Sequence, residues 1–199
     1  SSSQSSDLSR FSGLASLAGI SLPGSGNKTK GEFVQATVLS RAFLEHLLTF
    51  EHVLPSLMAV DYYDEESQTL FFDKSKYDLK TKEWVGNADS PTAIEVYETY
   101  QETVYASYDK KTGFFYLSAS HVSPIFAKEF LDLIVREINN LLREKDLEES
   151  SNAIEFLTSE INKTSLLEVR SAINELITTQ LQTQMMTKIS KDYVLEKIE

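Results

Sequence analysis

The chain has 199 residues, with 30 acidic side chains against 19 basic ones and a formal net charge of −11. Its length fits one domain of the usual ~100–200 residues, or one with an appendage, and a content of 41% hydrophobic and 25% charged residues is ordinary globular usage that excludes wholesale disorder and a fibrous repeat. The charge repels the phosphate backbone that supplies most nucleic-acid affinity, so no nucleic acid is expected as a partner, and the absence of cysteine excludes disulfides, thiolate zinc sites and a cysteine nucleophile.

Residues 1–30 hold ten serines and four of the seven glycines. Such a composition buries little apolar surface and reads as a flexible Ser/Gly-rich arm, with one short apolar patch from Leu14 to Ile20. Residues 31–123 read as an α/β base domain. From Glu32 to about Phe50, the residues Val34, Val38, Leu39, Ala42, Phe43, Leu47 and Leu48 recur at three- and four-residue steps, which predicts one amphipathic helix ending before Pro55. Residues 61–123 carry twelve acidic side chains against six basic ones and most of the tyrosines, and the sheet is expected there. Its clearest element is a β-hairpin whose two β-prone runs flank Asp109-Lys110-Lys111-Thr112-Gly113, where Asp opens a turn and Gly supplies the positive φ that closes it. Before it, Ser90 as a cap, Pro91 at a helix start and Ile94, Tyr97 and Tyr100 at helical spacing predict a connecting helix.

From Ile125 to Glu199 there are 75 residues without one Gly or Pro. Those two residues are what end helices, so the spacing predicts very long ones, starting at Ser123-Pro124. Phe130, Leu131, Ile134, Ile138, Leu141 and Leu142 form an apolar stripe, followed by a run from Arg143 to Asn152 that is polar nearly all round. A helix polar on all sides leaves the globular core unless it breaks, and the reading preferred here is that it projects. Thr164 or Ser165, with Glu168 completing a capping box, then opens a return helix carrying Leu166, Val169, Ile173, Leu176, Ile177, Leu181 and Met185. The expected fold is α+β: a small α/β base domain with a β-hairpin, and over residues 124–199 a long projecting antiparallel helical hairpin that completes the base. Each helix of such a hairpin buries one stripe, so neighbouring copies are its natural cover and a homo-oligomer is expected.

No catalytic, cofactor or metal site is expected. His46 and His52 are six apart and so on different sides of a helix, which spoils shared metal ligation. His121, near Ser120 and Ser123, has no nucleophile elbow around either serine. Asp61, Asp64, Glu65 and Glu66 lack the spaced oxygen ligands and the turn glycine of a calcium loop and read as a solvated acidic loop. Neither GxGxxG nor GxxxxGK[ST] occurs, so nucleotide binding has no support. The aromatics Tyr62, Tyr63, Phe71, Phe72, Trp84, Tyr97, Tyr100, Tyr105, Tyr108, Phe114, Phe115 and Tyr116 form either the core of a small sheet or, less often, a surface row that packs against the C–H faces of sugars. Asn-Lys-Thr sequons stand at 27–29 and 162–164. Arg143, Lys145, Glu148, Glu149 and Glu155 on the polar helix are either simply solvated or pair across subunits and set register, as flanking charges do in coiled coils.

Taken in order, Gly13 to Leu22, Leu39-Ser-Arg-Ala-Phe-Leu44, Val53-Leu-Pro-Ser-Leu57, Asp109-Lys-Lys-Thr-Gly113 followed by Phe114-Phe-Tyr-Leu-Ser118, His121 and Ser123-Pro124, then Arg143-Glu-Lys-Asp146, Ile154-Glu-Phe-Leu157, Lys163-Thr-Ser165 and Asp192-Tyr-Val194, the segments resemble the polysaccharide co-polymerase or chain-length determinant family over roughly residues 13–199. The resemblance implies a non-catalytic periplasmic scaffold of the bacterial inner membrane, assembled as a ring-like homo-oligomer. Its implied partners are a membrane polysaccharide polymerase and the growing polysaccharide, and its implied role is in setting the chain length of O-antigen or a related surface polysaccharide in lipopolysaccharide biosynthesis. Membrane attachment would come through flanking helices; no run here approaches the ~18 consecutive apolar residues of a span, and the expectation is a periplasmic segment excised from a longer protein. The alternatives are the extracytoplasmic domain of a kinase-coupled exopolysaccharide export protein and, from another class, a carbohydrate-binding module built on the tyrosine-rich base.

Overall fold

A computed structural model of the chain describes residues 29–85, 90–190 and 193–195. All but the last two residues of the expected arm lie outside the described residues. The described chain is mixed α+β and runs α1 (Lys30–Val38), α2 (Arg41–Leu47), α3 (Val53–Met58), β1 (Val60–Asp64), β2 (Thr69–Phe72), β3 (Tyr77–Asp78), β4 (Glu83–Trp84), α4 (Ala93–Thr103), β5 (Val104–Tyr108), β6 (Phe115–Ala119), α5 (Pro124–Ile161) and α6 (Leu167–Ile189). It divides into two compact units whose boundary falls inside α5, between Ile138 and Asn139, and not at the expected residue 123.

In the first unit the single helix expected over 32–50 is two. Thr29 caps α1 through a reciprocal box with Glu32, and Lys110, followed by the cap bonds, holds the Glu32 carboxyl down at about 2. The break at Leu39-Ser40 has two causes. Ser40 Oγ accepts the Phe43 N–H and so caps α2, while the last carbonyls of α1, at Val38 and Leu39, accept the hydroxyls of Tyr100 and Tyr97 on α4 at 2.8 Å each. Burial pushes the Tyr100 phenol well above its ordinary range, in keeping with a neutral donor. Pro55 sits within the first turn of α3, where no intrahelical partner awaits its missing N–H, so the chain turns helical through it. α4 is capped two residues later than expected, by Thr92 in a box with Glu95.

The strands form three separate antiparallel pairs, β1–β2, β3–β4 and β5–β6, where one sheet was expected. The hairpin at 103–120 is as the turn residues dictate: Asp109 O accepts the Gly113 N–H at 2.8 Å and Gly113 takes φ +76°. The core gathers Val34, Val38, Phe43, Leu47, Val53, Tyr100, Phe130, Ile134 and Ile138, with the rings of Phe126 and Phe130 stacked at 5.3 Å and Tyr100 edge-on to Phe130 at 6.2 Å. Ser123 Oγ caps the start of α5 by accepting the Phe126 N–H, with Pro124 in the first turn.

In the second unit the glycine- and proline-free stretch is helical as predicted. α5 spans 38 residues, about 57 Å at ~1.5 Å per residue, and runs unbroken through the polar segment. α6 returns antiparallel to it: Ser150 meets Gln180, Arg143 meets Ser190 and Asn139 meets Leu195. Leu157 and Ile173 are buried against each other's neighbours Phe156, Ile161, Val169, Leu176 and Ile177, forming an apolar staple at the turn end. The expected cap at Thr164 or Ser165 does not form; Leu166 occupies the position without a side-chain bond. The turn is tied instead by Lys163 N–H to Glu160 O and by the Lys163–Glu160 ion pair.

Candidate functional site

The helical hairpin changes character along its length. The seam of α6 that meets α5 continues from Ile173 in seven-residue steps to Gln180 and Thr187, with Gln184 between them, so it turns polar away from the turn. There Ser150 Oγ donates to the Gln180 carbonyl at 3.1 Å, Gln184 Nε2 donates to Ser151 Oγ at 2.9 Å, and Thr187, 2% exposed, donates to the Thr183 carbonyl at 2.8 Å. The small residues Ser150 and Ala153 on α5 let the helices approach at this polar seam, and both are buried. The run from Arg143 to Asn152 is therefore covered on one side by its own return helix.

The apolar residues of the same half of α6 point the other way. Leu181, Met185 and Ile189 stand at i, i+4 and i+8, one face of the helix, and are 46%, 66% and 73% exposed, with Met186 beside them at 61%. Leu166 and Leu167 at the turn are exposed as well. The periodicity reading had placed Leu166, Leu181 and Met185 in the hairpin's own stripe; the structure puts them outside, because the seam selects the Ile173, Gln180, Thr187 line. Scattered single apolar residues on a surface need no explanation, whereas these lie in a continuous row on one helix face.

Of the charged residues expected to line an oligomer contact, Lys145, Glu148, Glu149 and Glu155 are exposed on α5, and Lys145 lies 3.7 Å from Glu149 one turn on. Arg143 is instead engaged within its own unit: its guanidinium donates to the Ser190 carbonyl at 2.6 Å and lies over the ring of Tyr193 at 5.8 Å. Tyr193 in turn donates to Asp146 and sits 3.2 Å from the Thr187 hydroxyl. Beside this group Asn139, 6% exposed, takes the backbone N–H groups of Val194 and Leu195 on its Oδ1 at 2.9 Å each and donates Nδ2 to the Leu195 carbonyl at 3.0 Å. Sequence reasoning missed this latch, since an asparagine in the middle of a helix carries no signal of a distant backbone segment bonding to it.

Two of the three histidines make structural contacts, while His52 is exposed at the start of α3 without a side-chain cap bond. His121 Nδ1 accepts the Ser123 N–H at 3.1 Å, which leaves the proton on Nε2 to be donated to the Ser56 carbonyl at 2.9 Å, and Ser123 Oγ is spent on the helix cap. Both side chains are thus engaged in the local fold, His121 with Ser56 and the Ser123 backbone and Ser123 at the start of α5. His46 lies 2.8 Å from Glu137. Burial raises the Glu137 carboxyl, but the hydrogen bonds from Arg136 and His46 outweigh it and leave the group below its ordinary range. In the acidic loop Asp64 accepts from the Ser67 N–H and hydroxyl as a turn anchor, and among the described residues no group of three or more His, Asp or Glu is placed to hold a metal ion. The aromatics divide: Tyr77 and Tyr100 are core, whereas Tyr62, Phe71, Tyr105, Phe114 and Tyr116 are exposed. No helix among the described residues is long and apolar enough to cross a membrane. In comparisons with protein-family models, curated proteins and solved structures, the chain finds no match in any of the three.

Proposed function

We propose that the protein is a non-catalytic, self-assembling scaffold that helps set the chain length of a bacterial surface polysaccharide, working beside a membrane polymerase on the periplasmic face of the inner membrane. The polysaccharide role rests on the ordered motif resemblance. The self-assembly rests on one observation: the half of α6 whose seam is polar exposes the apolar row Leu181, Met185, Ile189. A lone hairpin gains little from leaving that row in water, and a sibling hairpin offers both an apolar counterpart and, through Lys145, Glu148, Glu149 and Glu155, charges to set register. The latch on Arg143 and Asn139 suits a scaffold too, since it fixes where the chain leaves the hairpin relative to α5.

The test is made in the host. Loss of the gene is expected to abolish the preferred length of the surface polysaccharide on a gel, the wild-type gene to restore it, and Leu181→Glu with Met185→Glu to fail to restore it while abolishing cross-linked oligomers. An unchanged length distribution on deletion refutes the polysaccharide role, and oligomers that survive the double variant refute the α6 contact.

A further inference from the structure

We propose that the open cleft bounded by β2, β3 and the turn after β3 binds an acidic saccharide. The cleft has a volume of about 430 Å³, within the ~300–1,000 Å³ typical of small-ligand sites. Phe71 forms one wall. Its ring stacks on Tyr62 at 4.7 Å and 9° from parallel, so the two rings brace each other as a flat plate in the open. Tyr77, buried and held edge-on by Trp84 at 5.3 Å, lies at the base, and Leu79, 56% exposed, forms an apolar lip. Flat apolar rings fit the C–H faces of a pyranose.

Charge decides the kind of sugar. Lys74 and Lys80 both line the cleft, and among the described residues neither forms an ion pair, whereas the nearby Lys82 is paired with Glu51 and Lys110 on the β5–β6 turn with Glu32. In a chain with a net charge of −11, two exposed ammonium groups beside an aromatic wall, with Asp78 the one carboxylate among the lining residues, fit a ligand that brings its own carboxylate. The turns that carry them are set in advance: Asp73 accepts the Ser75 N–H at 2.9 Å, and Asp78 Oδ1 accepts the Lys80 N–H at 2.7 Å, leaving its second oxygen for a ligand hydroxyl. A nucleotide fits less well, because the lining comes from strands and turns only, without the helix N-terminus or glycine-rich loop that cradles phosphates. One copy of the chain completes the site, so this proposal stands or falls separately from self-assembly.

Calorimetric titration of the purified chain, with Trp84 fluorescence in parallel, tests it using trigalacturonate, trimannuronate and a hyaluronan tetrasaccharide, against neutral maltotriose and ADP. Saturable binding of at least one uronate oligosaccharide is expected, at least tenfold tighter than maltotriose or ADP. Phe71→Ala and, independently, Lys74→Gln with Lys80→Gln are expected to weaken it tenfold or more, and Tyr116→Ser on β6 to leave it unchanged. The lysine variant is confined to exposed side chains, so it reads binding even where Phe71→Ala disturbs the hairpin. Absence of saturable binding by all three uronates, binding indifferent to both sets of variants, or equal binding of maltotriose or ADP overturns the proposal.

Discussion

Asn139→Ala isolates what the latch contributes. The side chain makes three hydrogen bonds to the backbone of Val194 and Leu195, all between 2.9 and 3.0 Å, from a position 6% exposed. At a net ~0.5–1.5 kcal/mol each, their sum is roughly 1.5–4.5 kcal/mol. The lower half of that range applies, because the released segment regains water on its N–H and C=O groups, and because alanine in a helix is favoured over asparagine by up to ~0.7 kcal/mol. The expected loss is therefore about 1.5–2 kcal/mol, and it is local: hydrogen exchange at the Val194 and Leu195 amides is expected to accelerate by roughly 10- to 30-fold, since ~1.4 kcal/mol is a factor of ten, with the amides of α1 and α4 unaffected. Asn139→Asp is the sharper comparison. It keeps an oxygen for both N–H groups but sets a second oxygen against the Leu195 carbonyl, so only the Nδ2 bond is lost and the two amides stay protected while the end loosens. Exchange at Val194 and Leu195 that is already unprotected in the wild type, or unchanged in Asn139→Ala, refutes the latch.

Ile173→Ala truncates one of the two buried residues of the apolar staple and is expected to cost about 2–5 kcal/mol in a site that is 2% exposed, read as lost protection along α6; a change under 0.5 kcal/mol refutes the staple as the hairpin's main apolar support. Gly31→Ala places a Cβ against the face of the Tyr108 ring, inside van der Waals contact, so the ~1 kcal/mol that alanine gains over glycine in a helix is expected to be overturned into a net loss of about 1–2 kcal/mol by overpacking. Adding Tyr108→Ala restores the alanine advantage, and a stabilising Gly31→Ala alone refutes the clash. Glu137 has its carboxyl lowered in the folded state, burial being outweighed by Arg136 and His46; its stabilisation is thus present above the unfolded value of ~4.3 and lost as pH falls through the lower folded value. Glu137→Gln is expected to flatten the acid limb of Tm below about pH 4.3, and an unaltered acid limb counts against the pairing.

What was legible in the sequence is what local chemistry decides. The absence of Gly and Pro after Pro124 gives two long helices because no strong helix breaker lies beyond the first residue of α5 or within α6, and Asp109 with Gly113 gives a hairpin turn because both act within five residues. The break after α1 was illegible for the opposite reason. It depends on hydroxyls of Tyr97 and Tyr100, which lie 58 and 62 residues on from the carbonyls they engage. The same limit governs α6. Periodicity shows that Val169, Ile173, Leu176, Leu181 and Met185 recur at helical steps, but it cannot say which of two overlapping lines faces α5. Only the partners Ser150 and Ser151 select the line through Gln180 and Gln184, and the leftover apolar line becomes surface.

That selection also separates energy from specificity along the hairpin. Polar contacts at the open end, Ser150 with Gln180, Ser151 with Gln184 and Arg143 with Ser190, add little net stability over water. Each has one partner at one register, however, and sliding α6 by a turn leaves several buried groups unpaired at once, which is where the larger cost lies. Favourable burial within the hairpin comes chiefly from Leu157, Ile173 and their neighbours at the turn end. A structure that spends its apolar residues outward and its polar ones inward has a fixed register and spare hydrophobic surface, the combination a part needs if it is to stack reproducibly against copies of itself.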